Sequence, residues 1–387
     1  MQGSKSFGPL LFLSNHEDRP ITSCTTSLPA NQFRPILAKL GVVTGLALAV
    51  AITPAVAETP WFPMKVYDAS SGTPKPAEYT PLLKAEKPYK LCVLFPHMKD
   101  SFWVAVAYGI VKQAETMNVS MTLYEAGGYE NLPKQLSQFD DCMASGADAI
   151  IVGAISGAGL SKKFEEAKAK GVPVVGVANP LPPNALPAAI YVDFVAMGEV
   201  TGEGLLAQAK PNDKLNIVTF PGPAGSGWAE SFNEGFKKAV AKNPNAKVLA
   251  EKFGDSGVAV QLQLIQDALQ AYPSMNVIWG TAPTAEAAIG AVAEAGRSDM
   301  KIMSSYENQA MLDALNRGDV LAFATQYPVG EGAVSVDQAV RLIEKKPVMS
   351  LAQPLASAVD KTTVPKLQMD LVLAPGSWTP VYSVKAK

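Results

Sequence analysis

The chain has 387 residues, and 48% of them are hydrophobic, which is enough apolar material for two packed lobes. Its formal net charge is −2 and its pI is about 5.9. Because nucleic acids are bound through basic surfaces, this balance argues against a nucleic-acid partner.

The N-terminal segment has the order of features expected of a cleavable signal peptide. Arg34 and Lys39 supply positive charge before an apolar run at residues 40–52. Small residues then precede a predicted cleavage site near Ala57. The apolar run is shorter than the roughly 20 residues that span a bilayer, and a buried core helix is the less favoured alternative. We therefore interpret residues 1–57 as an extension and signal peptide and expect a periplasmic mature chain.

After a proline-rich and polar stretch, apolar runs alternate regularly with helical patterns. In the first half of the chain, the runs end near Phe95, Leu123, Gly153 and Ala178. In the second half, they end near Phe220, Phe253, Gly280, Ser305 and Thr325. This βαβ repetition predicts parallel sheets with right-handed crossovers.

Two doubly wound units explain this pattern better than one sheet, since open sheets of more than about ten strands are uncommon. We therefore expect an α/β fold with two doubly wound parallel-sheet lobes joined by hinge crossings. Lobe 1 would comprise residues 58–193 with 326–350 returning to it, lobe 2 residues 194–325, and residues 351–387 would form a C-terminal tail over the lobes. This arrangement resembles the type I periplasmic binding proteins, in which the ligand lies between the lobes.

The sequence gives little support for catalysis or for a metal site. His97 is the one histidine beyond the predicted cleavage site, so a Ser-His-Asp triad or a multi-histidine metal site would depend on it. A lone histidine in a loop is more often a hydrogen-bonding group than a base. The motifs G-x-S-x-G, H-E-x-x-H and GxxxxGK[ST] do not occur. We expect a binding protein rather than an enzyme, with no cofactor.

Two cysteines, Cys92 and Cys142, follow the predicted cleavage site. Cys92 lies on the first predicted strand, and Cys142 lies on the helix between the second and third strands. In a 2-1-3 strand order that helix crosses over the first strand, so a disulfide between them is geometrically reasonable in an exported chain. Two buried thiols would fit the sequence equally well.

Aromatic residues follow the predicted strand ends and crossings of both lobes, where an open α/β sheet binds its ligand. The first-rank candidates for ligand binding are Trp103, Tyr129, Phe194 and Tyr306, and the second-rank candidates are Phe102, Trp228 and Tyr327. Core packing is the ordinary role of any single aromatic residue. Rings that converge on one crevice from both lobes predict instead an aromatic box, which suits a cationic or methylated group. Asp100 and Asp193 lie beside them and would add a complementary charge or fix a donor.

Arginine is scarce in the predicted mature chain. It occurs at Arg297, Arg317 and Arg341, away from the strand ends that would line the cleft. Sugar and amino-acid binders usually need polar forks for hydroxyl or carboxylate groups, which arginine supplies bidentately. The composition of the cleft therefore favours a small ligand that makes few hydrogen bonds.

Several stretches along the chain resemble the TorT family of periplasmic trimethylamine N-oxide-sensing proteins. They are KLCVLFPHMKDSFW, YEAGGYENLPKQLSQ, ADAIIVG, YVDFVAMGE, TFPGPAGSG and the terminal PVY. The resemblance implies binding of trimethylamine N-oxide between the lobes and docking on the periplasmic domain of a membrane histidine kinase. Trp103, Tyr129 and Tyr306 match the family's aromatic box. Phe194 falls where the family often has tryptophan, which shrinks one wall and removes an indole N–H donor.

We therefore expect a periplasmic sensor for trimethylamine N-oxide or a similar small methylated solute, signalling occupancy to a histidine kinase of a two-component system through lobe closure. The alternative is the substrate-binding receptor of an ABC importer, which would deliver a small solute such as a sugar to an ABC permease. Both share the fold, and fold alone does not decide function. We also expect Trp103→Ala to weaken ligand binding well before it affects fold stability.

Overall fold

The computed structural model describes residues 61–210 and 212–387 of the chain. The predicted extension and signal peptide, with the cleavage site near Ala57, lie outside the described residues. Within those ranges, no helix is both long enough and apolar enough to cross a membrane.

The first half of the chain forms strands from the buried apolar runs, with helices between them. The strands are β1 (Met64–Asp68), β2 (Lys75–Tyr79), β3 (Lys90–Phe95), β4 (Ser120–Glu125), β5 (Ala149–Val152), β6 (Val174–Val177) and β7 (Ala188–Ile190). The helices are α1 (Ser101–Met117), α2 (Leu132–Ala144) and α3 (Gly157–Ala169). Strands β3 to β7 are parallel in the order β4-β3-β5-β6-β7, which contains the predicted 2-1-3 arrangement. β1 and β2 form an antiparallel hairpin at the far edge of the sheet.

The second half of the chain repeats this pattern. Its helices are α4 (Phe194–Gln208), α5 (Trp228–Val240), α6 (Val258–Ala271), α7 (Ala282–Glu294) and α8 (Gln309–Arg317). Its strands are β8 (Leu215–Phe220), β9 (Ala246–Glu251), β10 (Val277–Gly280), β11 (Lys301–Ser304) and β12 (Phe323–Thr325). The first four of these strands form a parallel sheet in the order β11-β10-β8-β9.

The last part of the chain contributes to both lobes. Its elements are α9 (Pro328–Ile343), β13 (Leu351–Pro354), β14 (Ser357–Val359) and β15 (Ser383–Val384), with short 3-10 turns at Val364–Lys366 and Met369–Leu371. α9 packs on α1 and on the first sheet, and β13 and β15 join that sheet. β14 pairs with β12 and packs on α4 in lobe 2. The lobe boundaries stay a prediction. The tail at residues 351–387 contains strands of its own, which join the sheets of both halves.

In each lobe, one closely packed pair of helices supports the cleft. In lobe 1, a Cβ atom on Gly109 of α1 would lie 2.0 Å from the carbonyl oxygen of Val329 on α9. In lobe 2, a Cβ atom on Gly235 of α5 would lie 1.9 Å from the carbonyl oxygen of Val195 on α4. Glycine at these crossings lets the backbones approach closely. The N-terminal ends of α1 and α5 are thereby held in place, and both carry aromatic residues of the cleft.

Cys92 on β3 and Cys142 on α2 are joined by a disulfide, with their Cα atoms 5.7 Å apart. Both residues are buried where α2 packs on β3. The strand order explains the contact, because α2 connects β4 to β5 and so passes over β3, which lies between them. Of the two alternatives that the sequence leaves open, the structure contains the disulfide.

Candidate ligand-binding site

A small cavity lies where the carboxyl ends of strands from both lobes meet, the usual binding position in open α/β sheets. The free volume inside the cavity is about 20 Å³, and one water needs roughly 10–15 Å³ of such space. The aromatic lining consists of Phe102, Trp103, Tyr129, Phe194, Trp228, Phe232 and Tyr306. The remaining lining residues are His97, Ala178, Asn179, Ser256 and Gln326. The cavity therefore has room for one or two water molecules, and its wall is made mainly of rings.

The structure brings together most of the aromatic residues that the sequence singled out. All four first-rank candidates line the cavity, and so do the second-rank Phe102 and Trp228. Tyr327 does not line it. Its backbone is in the left-handed region, with φ 61°, at the N-terminus of α9, and it packs at the crossing into lobe 1.

Each lobe supplies one indole ring that lies against a glycine. A Cβ atom on Gly153, which follows β5, would lie 2.4 Å from Cη2 of Trp103. A Cβ atom on Gly222, which follows β8, would lie 2.4 Å from Cη2 of Trp228. Gly222 also has φ 121°, a conformation that strongly favours glycine. Both indoles thus depend on a missing side chain at a strand end, and this contact holds each ring at the edge of the cavity.

The rings contact one another across the cleft. Tyr129 of lobe 1 meets Trp228 of lobe 2 edge-on, with ring centroids 5.6 Å apart. Phe102 of lobe 1 meets Tyr306 of lobe 2 in the same manner at 5.5 Å. Such edge-to-face contacts are the favourable geometry for aromatic pairs. The aromatic lining is therefore continuous from one lobe to the other.

The polar corner of the cavity surrounds the hydroxyl of Tyr129. Asn179 Nδ2 donates to this hydroxyl at 3.0 Å and to the carbonyl oxygen of Ala154 at 2.8 Å. Burial raises the pKa of Tyr129, while the polar groups of Asn179, Trp228 and Trp103 near its hydroxyl oppose the increase. The phenol therefore keeps its proton, and both indole N–H groups lie near it. Nε1 of Trp228 is buried and has no hydrogen-bond partner among the described residues.

His97 acts as a hydrogen-bonding group of the cleft. Its Nδ1 accepts from the backbone N–H of Lys99 at 3.3 Å, which leaves Nε2 to donate to Ser256 Oγ at 3.3 Å across the lobes. Burial lowers the pKa of His97, although the charges of Asp100 and Asp255 oppose this change. The imidazole is therefore neutral near neutral pH and adds no positive charge to the cavity.

The structure places the two candidate carboxylates, Asp100 and Asp193, outside the cavity lining. Asp193 is exposed and caps α4 by accepting the backbone N–H of Ala196 at 3.0 Å. Asp100 is buried and caps α1 by accepting the backbone N–H of Phe102 at 3.1 Å. In both cases the capping bond turns the side chain toward its own helix. Asp100 also accepts a hydrogen bond from the hydroxyl of Tyr306 at 2.6 Å.

Besides His97, five lining residues were not among the sequence candidates: Ala178, Asn179, Phe232, Ser256 and Gln326. Asn179, Ser256 and Gln326 follow β6, β9 and β12, so the rule that located the aromatic residues applies to them as well. Phe232 lies four positions after Trp228 on α5, and residues at this spacing share one helix face. Its place in the lining could therefore have been inferred from that of Trp228.

Next to the cavity, the crossing between β12 and α9 holds a buried carboxyl group, that of Glu307. Its Oε1 accepts from Thr325 Oγ1 at 2.7 Å and from the backbone N–H of Gln326 at 2.8 Å. The backbone N–H of Tyr327 donates to the same oxygen at 3.1 Å. Burial raises the pKa of Glu307 to about 7 despite these donors.

A second buried carboxyl group, that of Glu331, lies in the first turn of α9. Its side chain is 0% exposed, and neither oxygen has a hydrogen-bond partner among residues 61–210 and 212–387. Burial, and then the charge of Glu307, raise its pKa well above the usual range, and the backbone of Val192 in the first crossing opposes this. The first crossing between the lobes is the connection from β7 to α4, which contains Val192, and the second is the connection from β12 to α9. Both carboxyl groups lie where these crossings meet, and we call this region the hinge.

The part of the chain that the structure describes contains no candidate metal site. No group of three or more histidine, cysteine, aspartate or glutamate side chains there is placed to hold an ion.

Comparison with known proteins assigns the chain to a family. Residues 91–347 match the periplasmic binding protein domain. The chain belongs to the periplasmic binding protein family. Periplasmic protein TorT of Escherichia coli K12 is 30% identical to it over 302 residues, which cover 78% of this chain and 86% of TorT.

Two solved structures extend the comparison. An ABC transporter solute-binding protein from Bradyrhizobium sp. BTAi1, with bound bis-tris, is 40% identical, with a TM-score of 0.71, and covers 83% of this chain and 98% of its own. TorT in complex with the TorS sensor domain in the presence of TMAO is 28% identical, with a TM-score of 0.68, and covers 76% of this chain and 99% of its own.

These likenesses confirm the predicted α/β fold with two parallel-sheet lobes, that of the type I periplasmic binding proteins. The relatives are periplasmic and solute-binding proteins, so the chain is a binding protein and not an enzyme. Membership of the family also implies a periplasmic location.

Proposed function

We propose that the protein is a periplasmic sensor for trimethylamine N-oxide or a similar small methylated solute, and that it signals occupancy to a membrane histidine kinase. The observation that carries this proposal is the cavity itself. Seven aromatic residues from both lobes line it, and the buried indole N–H of Trp228 has no partner within the described part of the chain.

The chemistry of the ligand matches these walls. Methyl groups on a positive nitrogen lie favourably against ring faces, which attract positive charge and exclude water. The oxide oxygen needs a donor, and an unpartnered buried N–H needs an acceptor. Trp228 Nε1 would supply that donor beside the hydroxyl of Tyr129. None of the cavity-lining residues is a lysine or arginine, so no cation opposes a methylated ammonium group.

The size of the cavity favours an amine oxide over a sugar. A pentose has twice as many heavy atoms as trimethylamine N-oxide and carries several hydroxyl groups that need partners. The free space of about 20 Å³ must grow by movement of the aromatic walls for either ligand, and it must grow by more for a pentose. Because these rings contact one another and rest on glycine backbones, such movement would disrupt several contacts together.

The signalling partner is proposed from the relatives. TorT shares 30% identity with this chain, and its solved complex contains the sensor domain of TorS. A ligand that contacts both lobes stabilises their closed arrangement by its differential affinity for that arrangement. A sensor domain that contacts both lobes would then detect the change.

The second candidate function is that of a receptor for an ABC importer. The Bradyrhizobium relative, described as an ABC transporter solute-binding protein, is 40% identical over most of the chain. Its bound bis-tris is a tertiary amine with hydroxyl groups, and the polar lining residues Asn179, Ser256 and Gln326 would suit such groups. This candidate shares the aromatic site and differs in the ligand and the partner.

Calorimetric titration of the mature protein with trimethylamine N-oxide, betaine and ribose tests the proposal. We expect saturable binding of the N-oxide, weaker binding of betaine, whose carboxylate lacks a partner cation, and no heat from ribose. Ribose binding without N-oxide binding would contradict the proposal and favour the importer.

The variant Trp228→Phe tests the proposed donor, because it keeps a ring over Gly222 and removes the N–H. We expect the affinity for the N-oxide to fall by about 10-fold, the usual effect of one lost hydrogen bond. The matched control is Trp279→Phe, since Trp279 Nε1 donates to Thr201 Oγ1 at 3.0 Å inside lobe 2, away from the cavity lining. The control should lower stability and leave affinity unchanged.

A further inference from the structure

Asp100 makes hydrogen bonds to the opposite lobe. It precedes α1 in lobe 1, and its Oδ2 accepts from the hydroxyl of Tyr306 at 2.6 Å. Its Oδ1 accepts from Asn308 Nδ2 at 3.1 Å. Tyr306 and Asn308 both follow β11 in lobe 2. We call these three residues the interlobe clasp.

The clasp joins the starts of two helices in different lobes. Asp100 caps α1 through the backbone N–H of Phe102, and Asn308 caps α8 by accepting the backbone N–H of Met311 at 2.9 Å. Because both side chains are fixed by their own helices, the bond between them fixes one helix start against the other. The clasp can form only when the lobes are close together.

The clasp is also connected to the ligand cavity. The ring of Tyr306 lines the cavity while its hydroxyl donates to Asp100. The same ring meets Phe102, whose backbone N–H is held by Asp100. A ligand that rests against Tyr306 therefore contacts the residue whose orientation Asp100 fixes.

The burial of Asp100 makes its bonds depend on closure. The residue is only 4% exposed, and its carboxylate uses both oxygens in bonds to lobe 2. If the lobes separate, the carboxylate loses Tyr306 and Asn308 and must be hydrated instead. Hydrogen bonds to an ionised acceptor are roughly twice as strong as neutral ones. Because these bonds are lost when the lobes separate, they favour the closed arrangement over the open one.

We propose that Asp100 is a positioning residue that couples ligand contact at Tyr306 to closure of the lobes through the interlobe clasp. This inference rests on the proposed function for the identity of the ligand and on geometry alone for the closure. It assigns Asp100 a role distinct from direct contact with the ligand, because the residue lies behind the aromatic wall.

Asp100→Asn separates closure from folding. Asparagine caps a helix as well as aspartate does, so α1 should keep its start. The amide has one acceptor oxygen in place of two and carries no charge. If that oxygen keeps the Oδ1 position, which accepts from Phe102 and Asn308, the amide NH2 group faces Tyr306 and cannot accept from its hydroxyl. The matched control is Asp148→Asn, because Asp148 Oδ2 accepts the backbone N–H of Lys90 at 2.7 Å within lobe 1.

The test measures the distance between the lobes by energy transfer between two dyes. The mature protein would carry them on exposed positions of α3 and α6 through Lys162→Cys and Gln270→Cys. We expect Asp100→Asn to lower the closed fraction without ligand, and to raise the dissociation constant for trimethylamine N-oxide by about 10-fold through faster dissociation. Asp148→Asn should match the parent protein, and the thermal unfolding of both variants should remain similar.

A closed fraction for Asp100→Asn equal to that of the parent would overturn the proposal, as would an equal loss of closure in Asp148→Asn. If trimethylamine N-oxide leaves every variant unchanged, the proposed ligand fails. The comparison of ligand-free closed fractions still decides the role of Asp100, because that measurement needs no ligand.

Discussion

The ligand cavity and the hinge lie side by side between the lobes and are built from opposite chemistry. The cavity is lined by rings and neutral polar groups, among them a His97 whose pKa is lowered by burial. The hinge contains the carboxyl groups of Glu307 and Glu331, which are 1% and 0% exposed. In the described part of the chain, neither carboxyl group forms an ion pair with a lysine or arginine.

This difference assigns ligand binding to the cavity and the pH dependence of stability to the hinge. The cavity presents surfaces that a methylated cation can contact without leaving a buried charge unpaired. Burial in the hinge favours the protonated form of both acids, since an unpaired buried charge is strongly unfavourable. Ligand affinity should therefore depend on the rings, and stability should depend on pH through the hinge.

The largest expected effect is that of Trp103→Ala. The sequence led us to expect a loss of binding well before a loss of stability, but Trp103 is 2% exposed and meets Phe95 with ring centroids 4.6 Å apart. We now expect both losses, with unfolding easier by about 3–5 kcal/mol. Denaturant unfolding together with calorimetric titration checks this. Unchanged stability would show that the ring lines the cavity without contributing to core packing.

The next effect is the pH dependence of stability. Because both hinge carboxyl groups have raised pKa values in the folded protein, the folded state binds more protons than the unfolded state. The contribution of these two groups to stability is therefore greatest below the usual carboxyl pKa and is lost as pH rises through about 7, the folded value for Glu307.

Glu331→Gln removes one of these groups. We expect stability to fall less in this variant than in the parent as the pH rises above the usual carboxyl pKa, because the amide does not titrate. Thermal unfolding across this pH range measures it. The control is Glu165→Gln on the exposed surface of α3, which should leave the pH profile unchanged. Equal profiles for the parent and Glu331→Gln would contradict the description of the hinge.

A smaller effect is expected for Gly153→Ala. The added Cβ atom would lie 2.4 Å from Trp103, so the indole must move toward the cavity. Overpacking of this kind costs about 1–3 kcal/mol, and binding of the N-oxide should weaken with it. The control is Gly290→Ala in α7, where nothing lies within 4 Å of the added atom and helix propensity favours alanine. If Gly153→Ala bound the N-oxide normally, the indole would not form the wall.

The smallest effect is expected for Phe194→Trp. It restores the residue that the TorT family often has at this position and adds an indole N–H. Phe194 lines the cavity and meets Phe232 edge-on at 5.1 Å. We expect the affinity for trimethylamine N-oxide to rise by less than about 10-fold, one hydrogen bond at most. Titration of parent and variant decides this, and a marked loss of affinity would show that phenylalanine shapes the cavity for another ligand.

The aromatic lining could be predicted from sequence because its position follows from topology. Carboxyl ends of parallel strands meet at one edge, so aromatic residues after strands β3, β4 and β11 converge there. The same rule applied to every residue type would have added Asn179 and Gln326. It also placed Asp100 near the site, but the capping bond that turns Asp100 away from the cavity depends on where α1 begins.

The hinge could not be predicted in this way. The sequence of α9 does not show which of its residues face solvent and which face the core. The burial of Glu331 follows from the packing of α9 between α1 and the first sheet. The C-terminal strands were missed for a related reason. β14 and β15 contain three and two residues, and so short a run has no recognisable alternation.

Proton NMR of the N-methyl signal of trimethylamine N-oxide, titrated with the mature protein, tests the central claim most directly. Protons that lie against aromatic ring faces shift upfield, so enclosure by rings from both lobes predicts a saturable upfield shift of the methyl resonance. The shift should diminish in Gly153→Ala and persist in Gly290→Ala. A methyl signal that keeps its free position in the presence of excess folded protein would contradict the account.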